Sequence, residues 1–561
     1  MKLKLPKLKL PKLKKRFKYG IAGLLIVFMT GSAFYNPSEK YFEIAKNLDI
    51  FATLFKEVNT WYVDDVTPSK LMKTGIDAML ASLDPYTNYI SEDQIEDYRT
   101  MTTGEYSGIG ATVGTRDGRI LIMMPLEGFA ADKAGIKTGD EIIAIDGISL
   151  DGKTYDETSQ LLKGQAKTDV ILSIKRYGLE QPLDITVTRE KIQTYNVPYY
   201  GMVTSTIGMI KLTDFTRDAS KEVRDALLDL KSQGAEKIIF DVRGNPGGLL
   251  DEAVKISNIF VEKGKEIVST KGKVKDWNKT YNGLSDATDT EIPLVVLTSG
   301  TSASAAEIVS GVIQDYDRGV LIGENTYGKG LVQATRSLSY NSKLKVTIAK
   351  YYIPSGRCIQ AIDYANRNED GSVGKMPDSL RMPFKTAAGR IVYDGGGVKP
   401  DIAISHDFYA PVTQTLILKG LLFDYANKYY FENKTIAEAK EFNLTNTEYD
   451  SFIKWLSTKE YDYTTKVEKM IKHLEETAQK EESYEALKPQ IDEFKKSIAH
   501  NKENDLRNHK VEIIELLEQE IAKRYYLERG EMEATFDDDL DLKAAIEVLN
   551  DEAKYKKILS K

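Results

Sequence analysis

Residues 293–333, PLVVLTSGTSASAAEIVSGVIQDYDRGVLIGENTYGKGLVQ, constrain the fold more than any other stretch of the chain. After Pro293, the apolar run Leu294–Leu297 has the length and composition of a buried strand. It breaks at Thr298-Ser299-Gly300. Residues 302–315 then place Ala305, Ala306, Ile308, Val309, Val312 and Ile313 at helical spacing. The small residues Ala303, Ser304, Ala305 and Ala306 crowd the start of that helix and leave room for another backbone to approach. A second apolar strand, Val320–Ile322, leads into the turn Thr326-Tyr327-Gly328-Lys329-Gly330. Strand, helix and strand in close succession predict one layer of an α/β core.

Two side chains in this unit carry chemistry. Ser304 falls at a helix N-terminus, where unpaired N–H groups and the positive dipole end suit a developing oxyanion. Lys329 sits in a glycine turn after the next strand. A serine hydroxyl is a weak nucleophile until a neighbour takes its proton. Lysine does this once burial lowers its pKa from about 10.4 toward 7–8. The same residues also read as a capping serine and a solvated turn lysine. Histidine content weighs against a different mechanism: His406, His473, His500 and His509 are the only histidines, and none lies in the first 405 residues. A Ser-His-Asp triad within the αβ body would therefore need a C-terminal histidine to fold back. Cys358 is the only cysteine, which excludes thiolate metal clusters and disulfide frameworks. The histidines are too scattered to predict a metal site, and no cofactor is expected.

The motifs GTSASAAEIVSG (300–311), QDYDRGVLIGENTYGKGLVQ (314–333), FDVRGNPGG (240–248) and YYIPSGRCIQ (351–360) resemble those of the carboxyl-terminal processing (tail-specific) protease family. The resemblance spans roughly residues 40–405. It implies a nucleophile at Ser304, a general base at Lys329 and Gln333 as the residue orienting that lysine. It also implies an oxyanion hole formed by the amide of Ala305 with that of Gly247 or Gly248, and a core of the Clp-protease/crotonase-like type. Ala306 departs from the serine found in many relatives, but touches neither implied catalytic position.

Residues 1–18 hold eight lysines and Arg16 with no acid, and repeat Leu-Lys-Leu-Pro-Lys from Leu3 and from Leu8. With nine positive charges there, the rest of the chain carries −16 toward the net −7. Tyr19–Tyr35 then runs seventeen residues without a charge. A basic flank before an apolar core predicts an export signal or signal anchor, with the lysines cytoplasmic and the body translocated. The expected location is the cell envelope, anchored in the inner membrane with the body in the periplasm, or secretion after cleavage behind Ala33. The acidic body argues against a nucleic-acid partner.

Residues 37–100 read as helices, Tyr41–Val58 and Leu71–Leu83, ended by an Asp84-Pro85 turn, and are expected to cap the protease body. Residues 101–190 alternate short strands with glycines, and Ser107-Gly108-Ile109-Gly110 with AGIKTGDEIIAIDG (134–147) resembles a PDZ domain. In that fold Gly108, Ile109 and Gly110 would offer amides to a substrate's terminal carboxylate. Residues 191–405 form the αβ core, with Asp315 expected as the structural partner of a nearby donor. From about residue 406 glycine becomes scarce, and Val467–Ala478, Pro489–Ala499 and Val511–Leu527 read as helices, with Pro489 in a first turn. This C-terminal domain predicts a solvated charged face and a possible homodimer contact. The whole is thus a multidomain α+β chain: an exported serine endopeptidase acting on protein or peptide substrates with free C-termini. The alternatives are a catalytically silent PDZ adaptor and a structural envelope protein.

Overall fold

The computed structural model describes residues 37–560 apart from 369, 407 and 499–501. The basic flank and the apolar segment 19–35 lie outside the described residues. No helix among the described residues is long and apolar enough to cross a membrane.

Residues 37–82 form a unit of their own. It holds α1 (Pro37–Trp61) and α2 (Pro68–Ala81), close to the helices expected from periodicity, with Pro68 at the permissive first position of α2.

The second unit begins with the Asp84 turn. Asp84 Oδ1 accepts from the N–H groups of Tyr86 and Thr87 at 2.9 and 2.8 Å, which explains the break there. The segment beyond it is not all helical. Asn88–Ile90 is a strand, followed by α3 (Ile95–Thr103), which ends at Gly104 in a left-handed conformation.

The next domain is an antiparallel sheet of β1 (Ala111–Arg116), β2 (Arg119–Pro125), β3 (Glu141–Ile145), β4 (Asp169–Lys175) and β5 (Leu183–Thr188), in that order. Helix α4 (Tyr155–Leu162) starts at a Thr154/Glu157 capping box. Ile122, Ile136, Val170, Leu172 and Ile174 fill its core, each with no exposed surface. The alternating burial of β4 is what period-2 patterning requires.

The αβ body is a six-stranded sheet. β6 (Tyr199–Met202) runs antiparallel to β7 (Ile207–Lys211). β7, β8 (Lys237–Asp241), β9 (Leu294–Thr298), β10 (Val320–Gly323) and the final two-residue strand Ile402–Ala403 are parallel and adjacent in that order. Helices α5 (Ala219–Ser232), α6 (Leu250–Phe260) and α7 (Ala305–Asp315) cover one face through Val223, Leu227, Ile256, Val309 and Val312. A parallel strand covered on both faces reads as a continuous apolar run, and β9 is buried throughout. A second sheet brings β11 (Leu331–Ser337) and β12 (Lys343–Tyr352) together antiparallel, with Asn88–Ile90 on the other edge of β12.

The C-terminal segment is helical, and its elements brace the other domains. Two of its helices hold the β1–β5 domain. Arg116 of β1 pairs with Asp424 of α8 (Leu421–Glu432), and its guanidinium lies 5.0 Å from the Phe423 ring centre. Arg524 of α9 (Lys510–Glu533), a buried residue, bonds the Phe423 carbonyl at 2.8 Å. α9 breaks at Leu527, whose φ is 52°, the residue at which the periodicity ends. Pro489, expected in a first turn, instead lies inside the helix Tyr484–Ile498, so that helix begins five residues earlier at the cost of one backbone hydrogen bond.

The last two helices, α10 (Leu540–Asn550) and α11 (Glu552–Ile558), pack on the open face of the parallel sheet. Leu542, Ala545, Val548 and Leu559 meet Ile207, Met209, Ile239, Val295, Leu297, Val320 and Ile322. Truncation after Phe536 should therefore uncover seven buried apolar side chains on that sheet. The expected result is loss of the cooperative thermal transition by circular dichroism. A truncated chain melting like the parent would show that the sheet stands without this cover.

Candidate active site

Asp241 ends β8 and opens the turn that carries Gly247 and Gly248. Its buried carboxylate meets Lys211 at 3.0 Å and Arg243 at 2.8 Å. Burial alone would raise its pKa, but the two cations outweigh it and hold the group at about 2. Arg243 also reaches Asp539 and Asp541 at the start of α10, so this turn is braced by the C-terminal helices. Asn245, fully buried, donates to the Leu212 carbonyl and accepts from the Gly247 N–H, both at 2.8 Å. Its own carbonyl accepts from the Ala303 N–H at 2.9 Å, which ties the turn to the segment holding Ser304.

The closeness of these two backbones demands glycine. A Cβ on Gly247, whose φ is 96°, would stand 2.7 Å from the Ala303 carbonyl oxygen and 2.8 Å from Ser304 Cβ. The Gly247 N–H is committed to Asn245. The N–H groups of Gly248 and Ala305 donate to no acceptor among the described residues, and both residues line the same cavity as Ser304.

Ser304 caps α7 with φ 54° and ψ −111°, an unfavourable conformation for a residue with a side chain. It shifts the helix start from the expected position 302 to Ala305. The cause is Glu307, which no sequence argument singled out. Its carboxylate has no exposed surface and gathers four donors: Ser304 N–H at 2.9 Å, Lys329 N–H at 2.8 Å, Gly328 N–H at 2.7 Å and the Thr326 hydroxyl at 2.5 Å. Burial pushes this carboxyl up to about 7 against the pull of those donors. Glu307 thereby fixes the backbone of the serine segment to that of the lysine turn. The visible signal was the Ser-x-x-Glu spacing of a capping box.

Ser304, Lys329, Gln333, Gly247, Gly248 and Ala305 all line one cavity of about 400 Å³. Lys329 is half-buried, and burial with the nearby Lys345 lowers its pKa to about 8, while Glu307 and Asp84 act in the opposite direction. Its Nζ lies 4.4 Å from the Tyr86 ring centre, and no hydrogen bond joins it to Ser304 Oγ. Gln333 donates to the Thr347 hydroxyl at 3.2 Å rather than meeting Lys329. Asp315 accepts from Arg357 at 2.8 Å and from the Ser355 N–H at 2.9 Å, the structural role expected of it.

A second cavity of about 410 Å³ lies between β1 and α4. Gly108 and Ile109 line it, and the Ile109 N–H has no acceptor among the described residues. Gly110 stands outside it, where a Cβ would meet Phe129 Cβ at 2.6 Å. Helix α3 borders both cavities: Asp97 and Thr100 face this groove, whereas Tyr98, Met101 and Thr102 face the one around Ser304.

Comparison with known proteins bears on this arrangement. Residues 206–365 match the model described as peptidase family S41, residues 125–176 a PDZ domain, and residues 412–549 a "probable PDZ-protease, C-terminal helical domain". The carboxy-terminal-processing protease of Bartonella bacilliformis is 37% identical over 347 residues, 61% of this chain and 78% of that protein. The chain belongs to peptidase family S41. A probable CtpA-like serine protease of Staphylococcus aureus is 37% identical over 316 residues, covering 56% of this S41 chain and 62% of the relative's length. The solved photosystem II D1 C-terminal processing protease overlaps 63% of this chain and 92% of its own, at 25% identity and a TM-score of 0.34. The S41 chain is thus a serine peptidase that combines a PDZ domain, a protease core and a helical C-terminal domain.

Proposed function

We propose that this chain is an exported endopeptidase that cleaves protein substrates near their C-termini through a Ser304–Lys329 dyad. One observation carries the reading. Glu307 binds the backbones of Ser304 and Lys329 together at the rim of a cavity that also holds two unpaired N–H groups. Neutral Lys329 takes the proton of Ser304 Oγ as that oxygen attacks the scissile carbonyl. The N–H groups of Gly248 and Ala305 receive the oxyanion, with Gly247 supplying the close approach rather than a donor. The Lys329 ammonium then protonates the leaving amine, giving an acyl-enzyme. The same lysine next activates a water that hydrolyses the ester. In this structure Lys329 Nζ rests 4.4 Å from the Tyr86 ring centre and makes no hydrogen bond to Ser304 Oγ. Catalytic hydrogen bonds often tighten only with substrate bound.

That resting geometry is also what favours a silent PDZ adaptor as the second reading. Mass spectrometry of envelope-protein C-termini, with and without the active chain, decides between them. New C-termini that depend on the chain support the protease; identical profiles support the adaptor.

Gly108 and Ile109 would bind the substrate's terminal carboxylate in the PDZ groove, and α3 would separate that groove from the catalytic cavity. Amidating a model substrate should weaken its capture about tenfold to a hundredfold, since a charge-assisted hydrogen bond is worth roughly 1.5–3 kcal/mol. Equal turnover of acid and amide forms would remove the groove from substrate capture. Export and anchoring rest on the basic residues 1–18 and apolar residues 19–35. A reporter fused after Lys561 should behave as extracytoplasmic.

A further inference from the structure

The cavity around Ser304 holds a second lysine that the mechanism above does not use. Lys345 projects from β12, beside β11 on one edge and Asn88–Ile90 on the other. It is half-buried, and its ammonium makes no hydrogen bond or ion pair with any described residue. Holding a partly desolvated cation without a counter-ion is costly, and the ordinary remedy is a nearby carboxylate. Here the cavity supplies instead another lysine. The groups facing Lys329 come from three places: Glu307 on α7, Asp84 and the Tyr86 ring on the turn before Asn88, and Lys345 on β12. Asp214 borders the same cavity. Glu307 and Asp84 favour the charged form of Lys329, and Lys345 is the charged neighbour that opposes them.

We propose that Lys345 is a positioning residue that acts through the base: its fixed positive charge keeps Lys329 in the neutral form that accepts the serine proton. The inference rests on the Ser304–Lys329 reading. It gives the unpaired cation a purpose: two like charges sharing a site cannot both stay protonated at little cost, and the more buried one yields. Burial lowers the pKa of Lys345 as well, so the effect requires that Lys345 be the group that stays charged.

The test is the pH profile of kcat/KM between about pH 6 and 10 on an uncharged peptide substrate, for Lys345→Gln and Lys345→Arg beside the parent. An uncharged substrate removes any direct attraction between Lys345 and an acidic side chain. Removing the charge should move the acid limb to higher pH, so that activity at pH 7 falls about three- to tenfold, as expected for one charge acting across a partly solvated cavity. The alkaline plateau should be retained, and Lys345→Arg should keep the parental profile. Should the glutamine variant fail to fold, Lys345→Met carries the same comparison. A limb that does not move, or a loss equal at every pH, would overturn the proposal by leaving Lys345 a structural role only. An active Lys329→Arg variant would instead sink the dyad itself, so the two failures are distinguishable.

Discussion

Ser304→Ala and Lys329→Arg should each lower kcat by about four to six orders of magnitude while leaving the thermal transition unchanged. Losses of that size follow when one member of a catalytic unit is removed and only binding and oxyanion stabilisation remain. The serine change deletes one oxygen and leaves the Cβ that packs beside Gly247 in place. The arginine change keeps the positive charge over Tyr86 but substitutes a group that cannot be deprotonated near neutral pH. The pH dependence follows from the same residue. Lys329 has its pKa lowered to about 8 by burial and by Lys345. Its working neutral form is therefore about a tenth of the total at pH 7 and about half at pH 8. Activity should rise through a single ionisation and level off above it, the opposite of an enzyme that needs the ammonium. Steady-state kinetics from pH 6 to 10 measure this. Near-parental activity in Lys329→Arg would contradict the dyad and redirect attention to a histidine.

The second large effect concerns Glu307. Glu307→Ala should strand the four donors that its carboxylate now accepts, in a site with no exposed surface. Unmade buried hydrogen bonds cost about 1–3 kcal/mol each, and partial relaxation of the turn makes a total near 3–5 kcal/mol the reasonable expectation. Activity should fall at least about a hundredfold, because Ser304 and Lys329 lose their common anchor and a misplacement near 1 Å is enough for that. Glu307→Gln should be intermediate in stability, since its oxygen can serve two donors while its amide nitrogen opposes the others. Urea unfolding together with kinetics tests both claims. A Glu307→Ala protein as stable and as active as the parent would show that the clasp is dispensable.

Much of this was legible in the residues because burial writes itself into composition. Leu294–Leu297 and Val320–Ile322 could only be interior strands, and the small residues around Ser304 announced a close backbone approach that Gly247 supplies. Other features depend on partners distant in sequence. Whether Gly247 or Gly248 presents a free amide turns on the Asn245 side chain, which occupies one of them. The positive φ of Ser304 follows from Glu307 bridging to the lysine turn, a contact spanning twenty-two residues. Glu307 itself followed the spacing of an ordinary helix cap, which is why its wider role was hidden. The helical character of the segment from about residue 406 did not tell that its last two helices, α10 and α11, cover the protease sheet. Asn88–Ile90 is too short to announce itself as a strand; its pairing with β12 makes it one.

Trapping the intermediate tests acyl transfer to Ser304 with Lys329 as the proton carrier. A peptide substrate is mixed with excess enzyme, quenched in acid within the first turnover and analysed by intact mass and peptide mapping. A Ser304–Lys329 dyad predicts a mass increase equal to the substrate's N-terminal fragment less water relative to the free acid, located on Ser304 and absent from Ser304→Ala and Lys329→Arg. Cleavage without any adduct under conditions that preserve the ester, or an adduct on another residue, would contradict it.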